Sequence, residues 1–182
     1  MKFGPLPVTR AIVLDPWLEP LPSPGPTPLQ VKVSLLETPR PIPRLLLLNS
    51  EGFTLWTDHF ARLKELSAIW KQSDSDRTSE EPPVRLLSLI RAQHMSFSDA
   101  GILFPTRLNP FGQNTSESQI FLDVITNLCY SFLESGDDFA HALEKVHIRE
   151  QEIVPVDVAK KDKPTKWDKK FVGNAGDVIV HL

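Results

Sequence analysis

Two titratable residues follow apolar runs: Asp15 after "RAIVL" at 10 to 14, and His94 just beyond "VRLLSLI" at 84 to 90. A histidine changes protonation near neutral pH and suits a cleft better than a core. A carboxylate bonded to one ring nitrogen fixes the tautomer, leaves the other nitrogen able to take a hydroxyl proton, and stabilises the imidazolium that forms. An acid with a histidine 79 residues later matches the last two members of a Ser, Asp, His triad in that chain order. A plainer reading stays open on pattern alone: Asp15 opens a turn before Pro16, and His94 is a partly buried residue at a strand end.

Other residues that could do chemistry carry less. His59, His141 and His147 fall within helical patterns and His181 in the tail, without the spacing or companion cysteine of a zinc site, so surface or interhelical roles suffice for them. The single cysteine, Cys129, excludes an intramolecular disulfide framework and sits in the apolar helical pattern "IFLDVITNLCYSFL", where it should pack rather than react. No metal or cofactor is expected. A net charge of -3 offers no basic face for nucleic acid, and the cationic stretch "KKDKPTKWDKK" at 160 to 170 reads as a solvated tail. The Asn114-Thr115-Ser116 sequon would matter only in a secreted protein. The start "MKFGPLPVTR" lacks an apolar signal core, and no run approaches the length that spans a bilayer.

At 182 residues, 41% hydrophobic and 24% charged, the chain has the composition of one globular domain or a piece of one. "RAIVL" reads as a strand ending at Asp15, because a residue before proline is pushed away from helix. Six prolines in residues 16 to 28 dictate a rigid loop. A second proline cluster, "TPRPIP", leads into "RLLLLNSE", a strand buried on both faces and ending near Asn49. Spacings of three and four from Phe53 to Trp70 predict an amphipathic helix over 53–71 with its aromatics in the core. "VRLLSLI" predicts a third strand ending just before His94. Helices follow over 120–133 and in "DDFAHALEKVHI", and then a polar tail from 149 whose "DVIVHL" could add an edge strand.

Apolar strands separated by helices imply an α/β layered architecture with parallel pairing and functional groups at the carboxyl ends of the strands. Asp15, Asn49 to Glu51 and His94 all fall at such ends.

Taken with their neighbours, these residues resemble a known family. "AIVLDPWLEPL" at 11 to 21, "PIPRLLLLNSEGF" at 41 to 53 and "LLSLIRAQHMSFSD" at 86 to 99 are similar to three blocks of the platelet-activating factor acetylhydrolase family, lipoprotein-associated phospholipase included. The resemblance runs over residues 8 to 147. It implies that Asp15 is the triad acid, His94 the general base, and Trp17 a wall of the substrate site. It also implies an α/β-hydrolase that removes the short or oxidised acyl chain from position 2 of a glycerophospholipid without calcium. The substrate would be a phospholipid or other lipid ester met at a membrane or lipoprotein surface.

The family's nucleophile lies on a GxSxG elbow some twenty-odd residues before the aspartate, and here 14 residues precede Asp15, none of them serine. No two of the eight glycines are four apart, so the elbow occurs nowhere else in the chain. The oxyanion hole, built partly on the residue after the nucleophile, goes with it. The expectation is therefore the carboxyl-terminal part of a catalytic domain over 1–148, lacking its nucleophile-bearing half, followed by a polar extension over 149–182. Such a part would expose apolar surface along the strand that pairs with the upstream half. Two further readings stay open: a degenerate hydrolase serving as a nonenzymatic binding module, and an esterase for other small esters. Location, cytoplasmic or secreted, is left open.

Overall fold

A computed structural model describes residues 8–22, 42–73, 81–98, 115–134, 136–155 and 169–181. The sequon asparagine, the later part of the first proline cluster, most of the second and most of the cationic stretch lie outside the described residues.

Strand β1 (Arg10–Leu14) pairs in parallel with β2 (Arg44–Ser50), and β2 in parallel with β3 (Val84–Leu89). Between β2 and β3 come α1 (Glu51–Leu55) and α2 (Thr57–Gln72). After β3 come a 3-10 turn (His94–Phe97), α3 (Thr115–Glu134), α4 (Gly136–Glu144) and β4 (Ile148–Arg149). Strands β5 (Ile153–Pro155) and β6 (Lys169–Phe171) form a two-stranded antiparallel sheet, and β7 (Val178–Val180) returns to the main one. The main sheet has five strands in the order β1-β2-β3-β7-β4, parallel except at the β3/β7 pair. The chain is thus a mixed α/β protein with a mostly parallel sheet.

Alternation along the strands explains the layers, because successive side chains of a strand point to opposite faces. Leu46, Leu48, Leu87 and Leu89 face one side and pack with Phe121, Ile125, Leu128 and Phe132 of α3 and Phe139 of α4. Those α3 positions recur at steps of four, three and four, one stripe of a helix. Leu45, Leu47, Val84 and Leu86 face the other side, against Phe60 and Leu63 of α2 and Leu18 of the loop after β1. Each of these fully buried leucines contributes roughly 1.5–3 kcal/mol by leaving water.

The structure corrects three expectations. The tail is not a plain polar extension: Phe171, Val178 and Ile179 are buried, and β7 is an interior strand rather than an edge. Charged residues dominate the composition of 149–170 and mask the short apolar run after them. The helix expected over 53–71 is two helices, broken where Trp56 adopts an extended backbone (φ -78°, ψ 94°). The side chain of Ser50 caps the first of them by accepting the Phe53 N–H at 3.1 Å. The third strand stops at Leu89, one residue short of the expected run, and His94 stands five residues on, at the start of a 3-10 turn.

Strand β1 lies at the edge of the sheet, and its residues are partly exposed, Leu14 to 40%, whereas every residue of β2 is buried.

Candidate active site at the strand ends

The carboxyl ends of β1, β2 and β3 meet at Asp15. The backbone there is left-handed, φ 43°, a conformation that aspartate tolerates better than most residues. The Asp15 N–H still donates to Leu48 O at 2.8 Å, so the chain leaves the sheet only after this residue. Its side chain turns inward and is 1% exposed.

Three donors converge on that carboxylate. Oδ1 accepts the Ser50 backbone N–H at 2.6 Å. Asn49, with its amide nitrogen turned toward the acid, donates to Oδ1 at 3.1 Å while its amide oxygen accepts the Thr54 N–H at 3.2 Å. The opposite orientation would set two acceptors against each other. Oδ2 accepts from His94 Nδ1 at 2.8 Å. A buried carboxylate needs such donors, because an unpaired buried charge is strongly destabilising.

His94 is the outward member of the pair, its side chain 56% exposed. With Nδ1–H committed to Asp15, the neutral ring carries its lone pair on Nε2, on the side away from the acid. The Phe53 ring stacks on the imidazole, centroids 5.2 Å apart and planes 15° apart. Phe53 therefore covers one ring face and restricts rotation about the bond that aims Nε2.

The segment carrying His94 is held by another buried acid. Glu51 accepts the backbone N–H of Arg91 and, at 3.1 Å, that of Phe171, and its own N–H donates to Ala92 O at 3.1 Å. Arg91 is left-handed, φ 62°, so the chain reverses there under the hold of Glu51. Burial pushes the Glu51 carboxyl above its ordinary range, against the two N–H donors that favour its ionised form. The turn is closed by reciprocal bonds between Gln93 and Ser96: the Gln93 N–H donates to Ser96 Oγ, and the Ser96 N–H to Gln93 O, both at 2.8 Å.

Behind Asn49 the hydrogen bonds continue inward. Thr54 Oγ1 donates to Ser50 O at 2.8 Å and contacts Ser88 Oγ, and Ser88 Oγ lies 2.9 Å from His181 Nε2. His181 is packed edge-on against Phe60, and burial, with a smaller contribution from Lys64, holds it down to about 4. It is therefore neutral at pH 7.

A second histidine–carboxylate pair lies close by. His59 Nδ1 is 2.9 Å from Glu19 Oε1, and the ring is fully buried, stacked on Trp56 at 5.4 Å and T-shaped to Phe53 at 4.8 Å. Its Nε2 has no hydrogen-bond partner among the described residues.

Of the residues singled out in the sequence, Asp15 and His94 come together. Trp17 stands two residues beyond the acid with its side chain 62% exposed. Cys129 is half-buried, and burial pushes its thiol up to about 11, which leaves it un-ionised at neutral pH. His59 takes an interhelical place, its α2 ring fully buried against Phe53 of α1, and His181 is half-buried just after β7 against Phe60. Phe53 and Glu19 were not singled out. The "NSEGF" block contained the signal for Phe53, whereas Glu19 looked like any loop acid. Among the described residues, no three His, Cys, Asp or Glu side chains converge to hold a metal ion, and no helix is long and apolar enough to cross a membrane.

No protein-family model, curated protein or solved structure matches the chain.

Proposed function

We propose that the chain carries the acid–base part of a serine ester hydrolase, with His94 as general base and Asp15 as the acid that orients it. The observation that carries this reading is the 2.8 Å bond from His94 Nδ1 to a carboxylate that is itself buried and held by two further N–H donors. Such a pair presents one tautomer, with Nε2 outward to accept the proton of an attacking hydroxyl, return it to the leaving alcohol and repeat the transfer with water.

The serine is supplied by polypeptide outside these 182 residues, because no GxSxG spacing occurs within them. The resemblance of the three sequence blocks to the platelet-activating factor acetylhydrolase family supports an α/β-hydrolase fold and a glycerophospholipid with a short or oxidised acyl chain at position 2. The exposed Trp17 beside the acid suits a site wall that meets lipid. A second reading, a nonenzymatic binding module that keeps the cleft, is favoured by the missing elbow.

The test is hydrolysis of a short-acyl glycerophospholipid by the chain alone and by a form extended with its upstream-encoded sequence. Turnover confined to the extended form, and lost in Asp15→Asn and His94→Ala, supports the hydrolase. An extended form that binds the lipid but never cleaves it makes the binding module the better account. Turnover that survives both substitutions overturns the assigned roles.

A further inference from the structure

The loop after β1 must hold a left-handed aspartate in one orientation, and a left-handed conformation at a non-glycine residue persists only where its surroundings fix it. Helix α2 supplies that hold at three points. Leu18 is buried against Phe60 and Leu63. The Arg62 guanidinium donates to Leu21 O at 2.8 Å. Glu19, four residues after the acid, is joined to the fully buried His59. The same His59 ring lies T-shaped against Phe53, which is stacked on His94. One buried imidazole thus touches both supports of the His94–Asp15 couple: the loop that carries the carboxylate and the ring that covers the histidine.

Burying His59 leaves its Nε2 without a partner among the described residues, and an unmet buried polar atom costs on the order of 1–3 kcal/mol. A leucine or phenylalanine would fill the same space without that cost. What it could not do is bond Glu19 and present a ring to Phe53 at once.

We propose that His59 and Glu19 are positioning residues for the His94–Asp15 couple, acting through the acid loop and through Phe53. This rests on reading that couple as the acid–base pair. Loosening the clamp lets the Asp15 turn and the Phe53 ring shift. His94 then samples both tautomers and more than one ring orientation.

The experiment is nitrogen-15 and proton NMR of the imidazoles in the 182-residue protein at neutral pH, for the parent, Asp15→Asn, Glu19→Gln, His59→Gln and Glu144→Gln. In the parent, His94 gives the nitrogen shifts of a single tautomer and a slowly exchanging Nδ1 proton. Glu19→Gln and His59→Gln are expected to average those shifts and broaden the proton away. Glu144→Gln, on the exposed His141–Glu144 pair, changes neither. Folded Glu19→Gln and His59→Gln proteins with His94 signals identical to the parent overturn the proposal. If His59→Gln fails to fold, Glu19→Gln decides, since its side chain is partly exposed and the substitution conserves shape. Asp15→Asn separates the two ideas: if it leaves the His94 signals unchanged, the couple itself is wrong. If it alters them and the other two do not, only the clamp is wrong.

Discussion

Two histidine–carboxylate pairs flank the Phe53 ring with nearly equal bond lengths and opposite burial. In one, at 2.8 Å, the carboxylate of Asp15 is inside and the His94 ring is 56% exposed. In the other, at 2.9 Å, the His59 ring is fully buried and the Glu19 carboxylate is 30% exposed. A hydrogen bond of this kind therefore does not by itself mark a proton-transfer site. The member facing solvent decides what the pair can do. An outward imidazole backed by a buried acid can exchange protons with a substrate. An inward imidazole tethered to a surface acid can only hold structure.

The largest expected effect separates the two pairs by activity. In a form that includes the nucleophile, His94→Ala should lower turnover roughly 10^6-fold while costing about 1–2 kcal/mol of stability, since it removes one of three donors to the buried Asp15 carboxylate. Steady-state assay and thermal melting check this, and a large loss of stability would place His94 with the structural histidines.

The reverse holds for His59. His59→Ala opens a cavity between Trp56 and Phe53 and removes a fully buried ring; about 3 kcal/mol of stability should go. Urea unfolding measures it, and a midpoint close to the parent's would show that the ring is not a packing element.

His181 sharpens the contrast, as a partly buried histidine with a hydroxyl rather than a carboxylate for partner. Its folded-state value, about 4, lies below the ordinary 6.5 because burial disfavours the imidazolium. As pH falls, the unfolded chain takes up this proton first, so the stability present above about 6.5 is lost progressively toward 4. Unfolding free energy measured across that window should fall more steeply in the parent than in His181→Gln. Equal slopes would remove His181 from the account.

Glu19→Gln should have the smallest effect on stability, about 0.5–1 kcal/mol, because a hydrogen bond to a partly exposed carboxylate is weakened by solvent. A loss as large as that of His59→Ala would mean that the buried ring depends on the charge of its tether.

Much of the fold was legible in the chain. The runs "RAIVL", "RLLLLNS" and "VRLLSL" form the three parallel strands, since few other solutions bury apolar segments bounded by proline-rich loops. The stripe of α3 was legible for the same reason. Strand β7 was harder, because "VIV" is three residues long and its burial depends on β3 lying beside it. The break at Trp56 was hidden too, as spacings of three and four run straight through it.

At the site, residue types and chain order singled out Asp15 and His94 without any structure, because few side-chain pairs can fix an imidazole tautomer and they tend to stand at strand ends. The sequence by itself also determined that no GxSxG elbow lies within these residues, a matter of glycine spacing alone. Only the tertiary structure decided which histidine faces outward and which is buried, since burial depends on what α2 and the returning strand β7 cover. It alone joined Asn49, Ser50 and Phe53 to the Asp15–His94 pair. Side chains distant in sequence meet there because parallel strands bring their carboxyl ends to one edge of the sheet.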